Sequence, residues 1–383
     1  MRSAKSIKRW YAVHKWTSLV STVFMLIACL TGLPLVFHDE IDRLEGWIGG
    51  EVRAGPAEGS AALSIDTLAE SARQERPAAH LQLLFREPSD PGVTSFAMGA
   101  APDAPVGDSE FLRIDDVTGA YLGAERVGEG VMGFIFRLHA ELYAGFGGTL
   151  FLGVMTMVFL VAIVSGVVLY APFMRNRAFA VVRVAKGRRA RWLDLHNGLG
   201  IVLLVWTLVV SATGVINTWA SPMIQFWLLN DMQRIVADDR AGSGGGSAAG
   251  LASVQAAVDL AARALPDGEL SFVAFPGSEL SSDRHYLVFF SGSTPLSSRM
   301  IRPVIVNAFS GELIAAPDLP WYLNVLLLSQ PLHFGDYGGV GLKIAWFVLG
   351  LGTVVLLWSG LALWWRKRHE KPEIEAVAGR IAA

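Results

Sequence analysis

Four stretches of the chain carry no charged residue: 16–37, 142–174, 197–230 and 344–365. Each is long enough to cross a hydrocarbon core of about 30 Å at about 1.5 Å per residue. The second and third exceed what one crossing needs, so part of each is expected outside the hydrocarbon. The pattern predicts membrane-spanning helices near 16–38, 147–171, 198–220 and 342–365. Between them the period changes. "SIDTLAESARQ" at 64–74 and "ASVQAAVDLAARAL" at 252–265 space apolar residues along one helix face, whereas "LQLLF", "FLRI", "HYLVFF" and "RPVIVNAF" read as strands. Two Asx-led turns, Asp115-x-x-Thr118-Gly119 and Asn307-x-x-Ser310-Gly311, predict hairpins.

These elements predict an α-helical membrane protein with two outer α+β domains. A first helix lies in 1–38, an outer domain in 39–141 and a second helix in 142–174. A basic loop follows over 175–196, then a third helix in 197–220, a second outer domain in 221–337, a fourth helix in 338–366 and a tail over 367–383. "AGSGGGSAAG" at 241–250 reads as a flexible segment, because no strand precedes it and no helix follows as a nucleotide-binding glycine loop requires.

Composition agrees with a membrane class: 52% of the 383 residues are hydrophobic and 17% charged. A net charge of −2 gives no basic balance for nucleic acid. Basic residues cluster on one side of the predicted helices. Arg2, Lys5, Lys8, Arg9 and Lys15 precede the first; Arg175, Arg177, Arg183, Lys186, Arg188, Arg189 and Arg191 lie between the second and third; "RKRHEK" follows the fourth. The excess of positive charge on cytoplasmic loops puts both termini inside and the two long connections outside. The apolar core of the first helix is too long for a signal peptide, so it is read as retained. A single cysteine, Cys29, excludes an intrachain disulfide, and no C-x-x-C-H haem-attachment motif occurs.

The two halves repeat. "RWYAVH" at 9–14 echoes "RWLDLH" at 191–196, and a Thr-Gly pair follows 17 residues after His14 and after His196. "RLHAELYAGFGG" at 137–148 parallels "PLHFGDYGGVG" at 331–341, and a Ser-Gly pair follows 26 residues after His139 and after His333. Both halves begin inside, so the repeat is parallel, with a pseudo-two-fold axis along the membrane normal. That axis brings His14 toward His196 near one surface and His139 toward His333 near the other. Two facing imidazoles are an axial pair for haem iron in a helical bundle. Gly198 and Gly200, Gly145, Gly147 and Gly148, and Gly335, Gly338 and Gly339 are expected to make room for the flat ring. The Thr-Gly and Ser-Gly pairs read as helix-packing positions. An interfacial histidine with a satisfied hydrogen bond is the alternative for each of the four, and another metal is a second. Two histidines alone underprovide a zinc site. His38 stands outside the symmetric set and reads as a substrate contact, an alternative ligand or a boundary residue. No role is assigned to His80, His285 or His369.

On these motifs the chain resembles the PepSY-associated transmembrane family, and within it the branch of siderophore reductases that act on ferrioxamine. The resemblance implies two non-covalent b-type haems bound by His14, His196, His139 and His333, and two periplasmic PepSY-like domains. It implies a bacterial inner-membrane reductase whose partner is a ferric siderophore, with the lipid bilayer around it. The electron donor is left open among quinol, flavin and a partner reductase, because no dinucleotide fingerprint is present. Trp47, Trp219, Trp227, Trp321 and Tyr322 read as an interfacial aromatic belt, with a chelate site as the alternative. Arg9 and Arg191 read as positive-inside residues, or as partners of haem propionates. A non-redox binding or regulatory protein and an iron or haem transporter remain alternatives on the residues alone.

Overall fold

A computed structural model describes residues 4–41, 44, 61–86, 90–126, 130–174, 187–237, 239, 250–294, 297–335 and 337–381. Its helices are α1 (Ala4–Leu35), α2 (Ile65–Glu75), α3 (Gly130–Glu141), α4 (Gly145–Met174), α5 (Arg188–Val202), α6 (Leu204–Asn217), α7 (Ala220–Phe226), α8 (Val254–Ala264), α9 (Trp321–Phe334) and α10 (Gly339–Ile381). The chain divides into a helical unit, 1–39 with 135–219 and 329–383, and a sheet unit, 40–134 with 220–328.

In the helical unit, α1, α4 and α10 are each long and apolar enough to cross a membrane. The third crossing, expected as one helix near 198–220, is instead α5 and α6, bent by 66°. Gly198 and Gly200 weaken the turn before the break, and the Thr207 hydroxyl bonds to Leu203 O at 2.9 Å. α5 starts at Arg188, so "RWLDLH" lies inside a helix, as "RWYAVH" lies inside α1. Hydroxyls within these helices bond back to carbonyls one turn earlier, as Ser21 does to Thr17 O (2.9 Å) and Thr31 to Ile27 O (2.7 Å). Such bonds satisfy polar groups where no water is at hand.

The sheet unit joins the two long segments that lie between apolar runs. Its strands are β1 (His80–Arg86), β2 (Val93–Gly99), β3 (Glu110–Asp115), β4 (Tyr121–Arg126), β5 (Gly268–Ala274), β6 (His285–Gly292), β7 (Arg302–Asn307) and β8 (Leu313–Ala315). They form one eight-stranded sheet in the order β4-β3-β2-β1-β5-β6-β7-β8. The two segments, read from sequence as separate domains, meet where β1 pairs antiparallel with β5, Leu84 opposite Val273. Helices α2 and α8 pack on one face over a core that includes Leu68, Phe96, Ile114, Val258, Val288 and Val306. The other face is also closed: Leu83, Ala97, Leu287 and Ile305 are at most 1% exposed. That explains "HYLVFF", which is apolar on both sides and buried along six successive residues of β6.

Both expected hairpins form. Asp115 Oδ1 accepts from the backbone of Val117 and Thr118, and Gly119 sits at φ +69°. Asn307 Oδ1 accepts from Phe309 and Ser310, and Gly311 sits at φ +74°. The helix N-termini of the two segments cap each other. Asp66 accepts from Val254 N (2.8 Å) and Gln255 N (3.3 Å), while Gln255 Oε1 accepts from Ile65 N (3.0 Å). A carboxylate at a helix N-terminus contributes about 1 kcal/mol. The glycine-rich run 241–249, the loop 175–186 with Arg175, Arg177, Arg183 and Lys186, and Arg2, Asp42 and Trp47 lie outside the described residues, as does the His369 side chain.

Candidate functional site

The four repeat-matched histidines come together as two pairs in the helical unit. His14 on α1 faces His196 on α5, with ring centroids 6.2 Å apart and planes at 63°. His139 on α3 faces His333 on α9 with the same separation and angle. The identity of the two geometries reflects the repeat.

Each imidazole docks on a different neighbouring helix, and always in the same way. The Nδ1–H of His14 donates to Ala162 O at 2.9 Å, beside the Ser165 hydroxyl at 3.3 Å. His196 Nδ1 lies 3.3 Å from Leu356 O and 2.8 Å from Ser359 Oγ. His139 Nδ1 is 3.0 Å from both Ala28 O and Thr31 Oγ1. His333 Nδ1 is 3.0 Å from Val210 O and 3.3 Å from Thr213 Oγ1. A carbonyl only accepts, so the proton sits on Nδ1 and the lone pair on Nε2. No hydrogen bond to these Nε2 atoms occurs among the described residues. An Nδ1–H held by a carbonyl is the support that orients a metal-ligating histidine.

The Ser-Gly and Thr-Gly pairs are the receiving half of this device, which corrects their reading as packing positions alone. The serine or threonine meets Nδ1, and the glycine after it leaves space for Cε1. A Cβ at Gly166 would lie 3.1 Å from His14 Cε1, at Gly360 3.4 Å from His196, at Gly32 3.2 Å from His139 and at Gly214 3.2 Å from His333. The glycines nominated from sequence differ in their surroundings. Gly198 and Gly147 face open space, a side chain at Gly335 would strike Trp346, and one at Gly148 would strike the Glu141 carbonyl. Gly145 (φ +57°), with Leu142 and Tyr143 at positive φ, turns the chain from α3 into α4. Left-handed backbone at the two non-glycine residues costs about 1–3 kcal/mol each.

The donor set fits a bis-histidine haem. With metal–nitrogen bonds of about 2.0 Å, and ring centres about 1.1 Å beyond, two imidazoles across one ion stand about 6.2 Å apart. The observed 6.2 Å agrees in both pairs. No cluster of three His, Cys, Asp or Glu occurs among the described residues, so neither pair has the ligands of a tetrahedral site. Trp206, four residues before Val210 on α6, keeps a buried indole N–H that has no hydrogen-bond partner among the described residues.

Beside His14, Lys5, Ser6, Arg9, Trp10 and Val13 line an open pocket of about 370 Å³. Of the nominated aromatics, Trp219 and Trp321 are exposed at 46% and 77%, Trp227 is buried, and the Tyr322 hydroxyl donates to Asp231 at 2.8 Å. Burial pushes the Tyr322 phenol up to about 12.

Apolar helices of spanning length, a separate antiparallel sheet and a repeat of paired histidines describe a membrane protein built around transmembrane helices. The family model for the PepSY-associated TM region matches residues 11–367, and the chain belongs to that family. No curated protein matches it by sequence.

Proposed function

We propose that each histidine pair holds one b-type haem and that the chain carries electrons across a bacterial inner membrane to a ferrioxamine-like ferric siderophore. The observation that carries this reading is the pair itself: Nδ1 committed to a carbonyl, Nε2 open, and centroids 6.2 Å apart, twice. Bound haem supplies one-electron redox chemistry at a potential its surroundings tune. The chain's own residues hold the imidazoles in one tautomer and orientation. Ala162, Leu356, Ala28 and Val210 supply the carbonyls, Ser165, Ser359, Thr31 and Thr213 the hydroxyls, and four glycines the clearance.

The two sites lie at opposite ends of α1. His14 and Gly32, where His139 docks, are 18 residues apart, a rise of about 27 Å, close to the hydrocarbon thickness. Lys5, Lys8, Arg9 and Lys15 gather at the His14 end, which supports a cytoplasmic location for it and a periplasmic one for the other. The donor, a quinol, a flavin or a partner reductase, docks at the basic end. Each site spends both protein ligands on its own metal. The chelate's iron is therefore not a ligand-exchange partner of the pair, and the protein positions and insulates rather than coordinates it. Reduction of ferric iron weakens its hold on hard oxygen ligands, and release follows.

The test is spectroscopic. Full-length protein purified from haem-replete cells is expected to be red, with two haems per chain and a Soret band that shifts on dithionite. The reduced protein is expected to be reoxidised by ferrioxamine with capture of ferrous iron by a chromogenic chelator. Colourless protein overturns the haem assignment. Reduced protein that ferrioxamine does not reoxidise overturns the substrate.

A further inference from the structure

His38 is the fifth histidine of the helical unit whose side chain is described, and it stands outside both pairs. Its Nδ1 lies 3.1 Å from Leu35 O and its Nε2 2.9 Å from Asp39 Oδ1. Both partners only accept. A neutral imidazole has one N–H and would set a lone pair against one of these oxygens, whereas the imidazolium donates to both. Asp39 uses its other oxygen for Lys343 Nζ at 3.1 Å, and the Lys343 side chain is 6% exposed. The carboxylate thus bridges two cations. Among the described residues, Asp39 and Lys343 are the charged groups that act on His38; the hydrogen bond to Asp39 outweighs burial and the opposing Lys343, and raises its pKa. The same contacts, led by the hydrogen bond from His38, hold the Asp39 carboxyl well below the usual range.

The cluster belongs to the His139–His333 end of the helical unit. His38 is six residues beyond Gly32, just past the end of α1. Lys343 is three residues before Trp346, whose indole N–H donates to His333 O at 3.2 Å. Phe37 packs on Phe347 with ring centroids 5.8 Å apart, which ties the end of α1 to α10. The His38 side chain is 46% exposed, so it can exchange protons with solvent while Lys343 cannot do so freely.

On the reading above, we propose that His38 is the acid that protonates the chelate as its reduced iron is released. Reduction alone leaves a basic hydroxamate oxygen next to ferrous iron, free to rebind. Once the proposed one-electron reduction has converted the chelate's ferric iron to ferrous, the imidazolium gives a proton to that oxygen. The iron–oxygen bond breaks with its electron pair remaining on oxygen, an O–H bond forms, and the neutral imidazole is reprotonated from water. Asp39 holds the ring and keeps it charged between turnovers, and Lys343 anchors Asp39.

The experiment uses the full-length protein in nanodiscs, reduced and mixed with ferrioxamine in single turnover. Haem reoxidation reports electron transfer, and a ferrous chelator reports release. For H38Q the ratio of release rate to reoxidation rate is expected to fall about tenfold at neutral pH. It should recover at acidic pH and on addition of imidazole buffer. An NMR titration of His38 in the same full-length chain is expected to give a pKa above 6.5 that drops in D39N. An unchanged ratio in H38Q, or an equal slowing of both steps, overturns the proposal. Absence of haem, or of wild-type reoxidation, instead overturns the function on which it rests, and the two failures are read from different signals.

Discussion

The helical unit holds half-buried histidines and the sheet unit a fully buried one, and the two use the ring in opposite ways. His285 at the start of β6 is fully buried, with Nε2 donating to Asp239 at 2.9 Å and Nδ1 accepting from the Ser282 hydroxyl at 2.5 Å. Asp239 also accepts from Asn307 at 2.8 Å, so the ring is one member of a closed polar network. Among the described residues, His14, His196, His139 and His333 have only Nδ1 engaged, and each turns toward a second imidazole. Burial therefore does not mark a ligand. The informative feature is the nitrogen that has no partner among the described residues and faces a second imidazole.

This contrast can be broken most sharply at the paired histidines. Replacing His14 or His196 by Ala is expected to remove one haem, and replacing His139 or His333 the other, each leaving about half the pyridine-haemochrome signal. Loss of both from a single change would refute two independent sites. Next in size is the docking surface. Gly166→Val places branched carbons where the His14 ring lies, and should abolish one of two steps in a redox titration while the other stays in place.

His285→Ala tests the other side of the comparison. It takes one donor from Asp239 and the acceptor from the Ser282 hydroxyl in a buried network, a loss of about 3 kcal/mol. Thermal unfolding should report it, with haem per folded chain unchanged. A fall in haem content with the sheet intact would erase the distinction drawn between the two kinds of histidine. The smallest effect is expected for Ser359→Ala. It removes the nearer partner of His196 Nδ1 and leaves the carbonyl at 3.3 Å. Loss of such an orienting contact lowers metal affinity about tenfold. A shifted midpoint potential of one haem would report it.

The repeat was legible because duplication copies spacing. His14 with Thr31 and His196 with Thr213 keep one interval, and His139 with Ser165 and His333 with Ser359 keep another. The partners of those histidines were not legible. Ser165 meets His14 although 151 residues separate them, and a small residue beside a glycine in an apolar helix is the ordinary signature of packing. The joining of the outer segments was equally hidden. β1 and β5 pair across nearly 190 residues, and nothing local in either strand names its neighbour. The break at Leu203 sits in a run whose apolar pattern reads as one crossing.

Local pattern determined the apolar runs, the helix and strand types, the Asx-led hairpins and the two-fold recurrence of histidine. Each follows from side-chain chemistry and periodicity within a few turns of chain. Which nitrogen of each imidazole stays open, which glycine admits the ring, and which segments share a sheet were decided only by tertiary structure. These depend on what a distant helix or strand presents at a few ångströms, and hydrogen-bond direction and steric clearance exist only once those elements are packed.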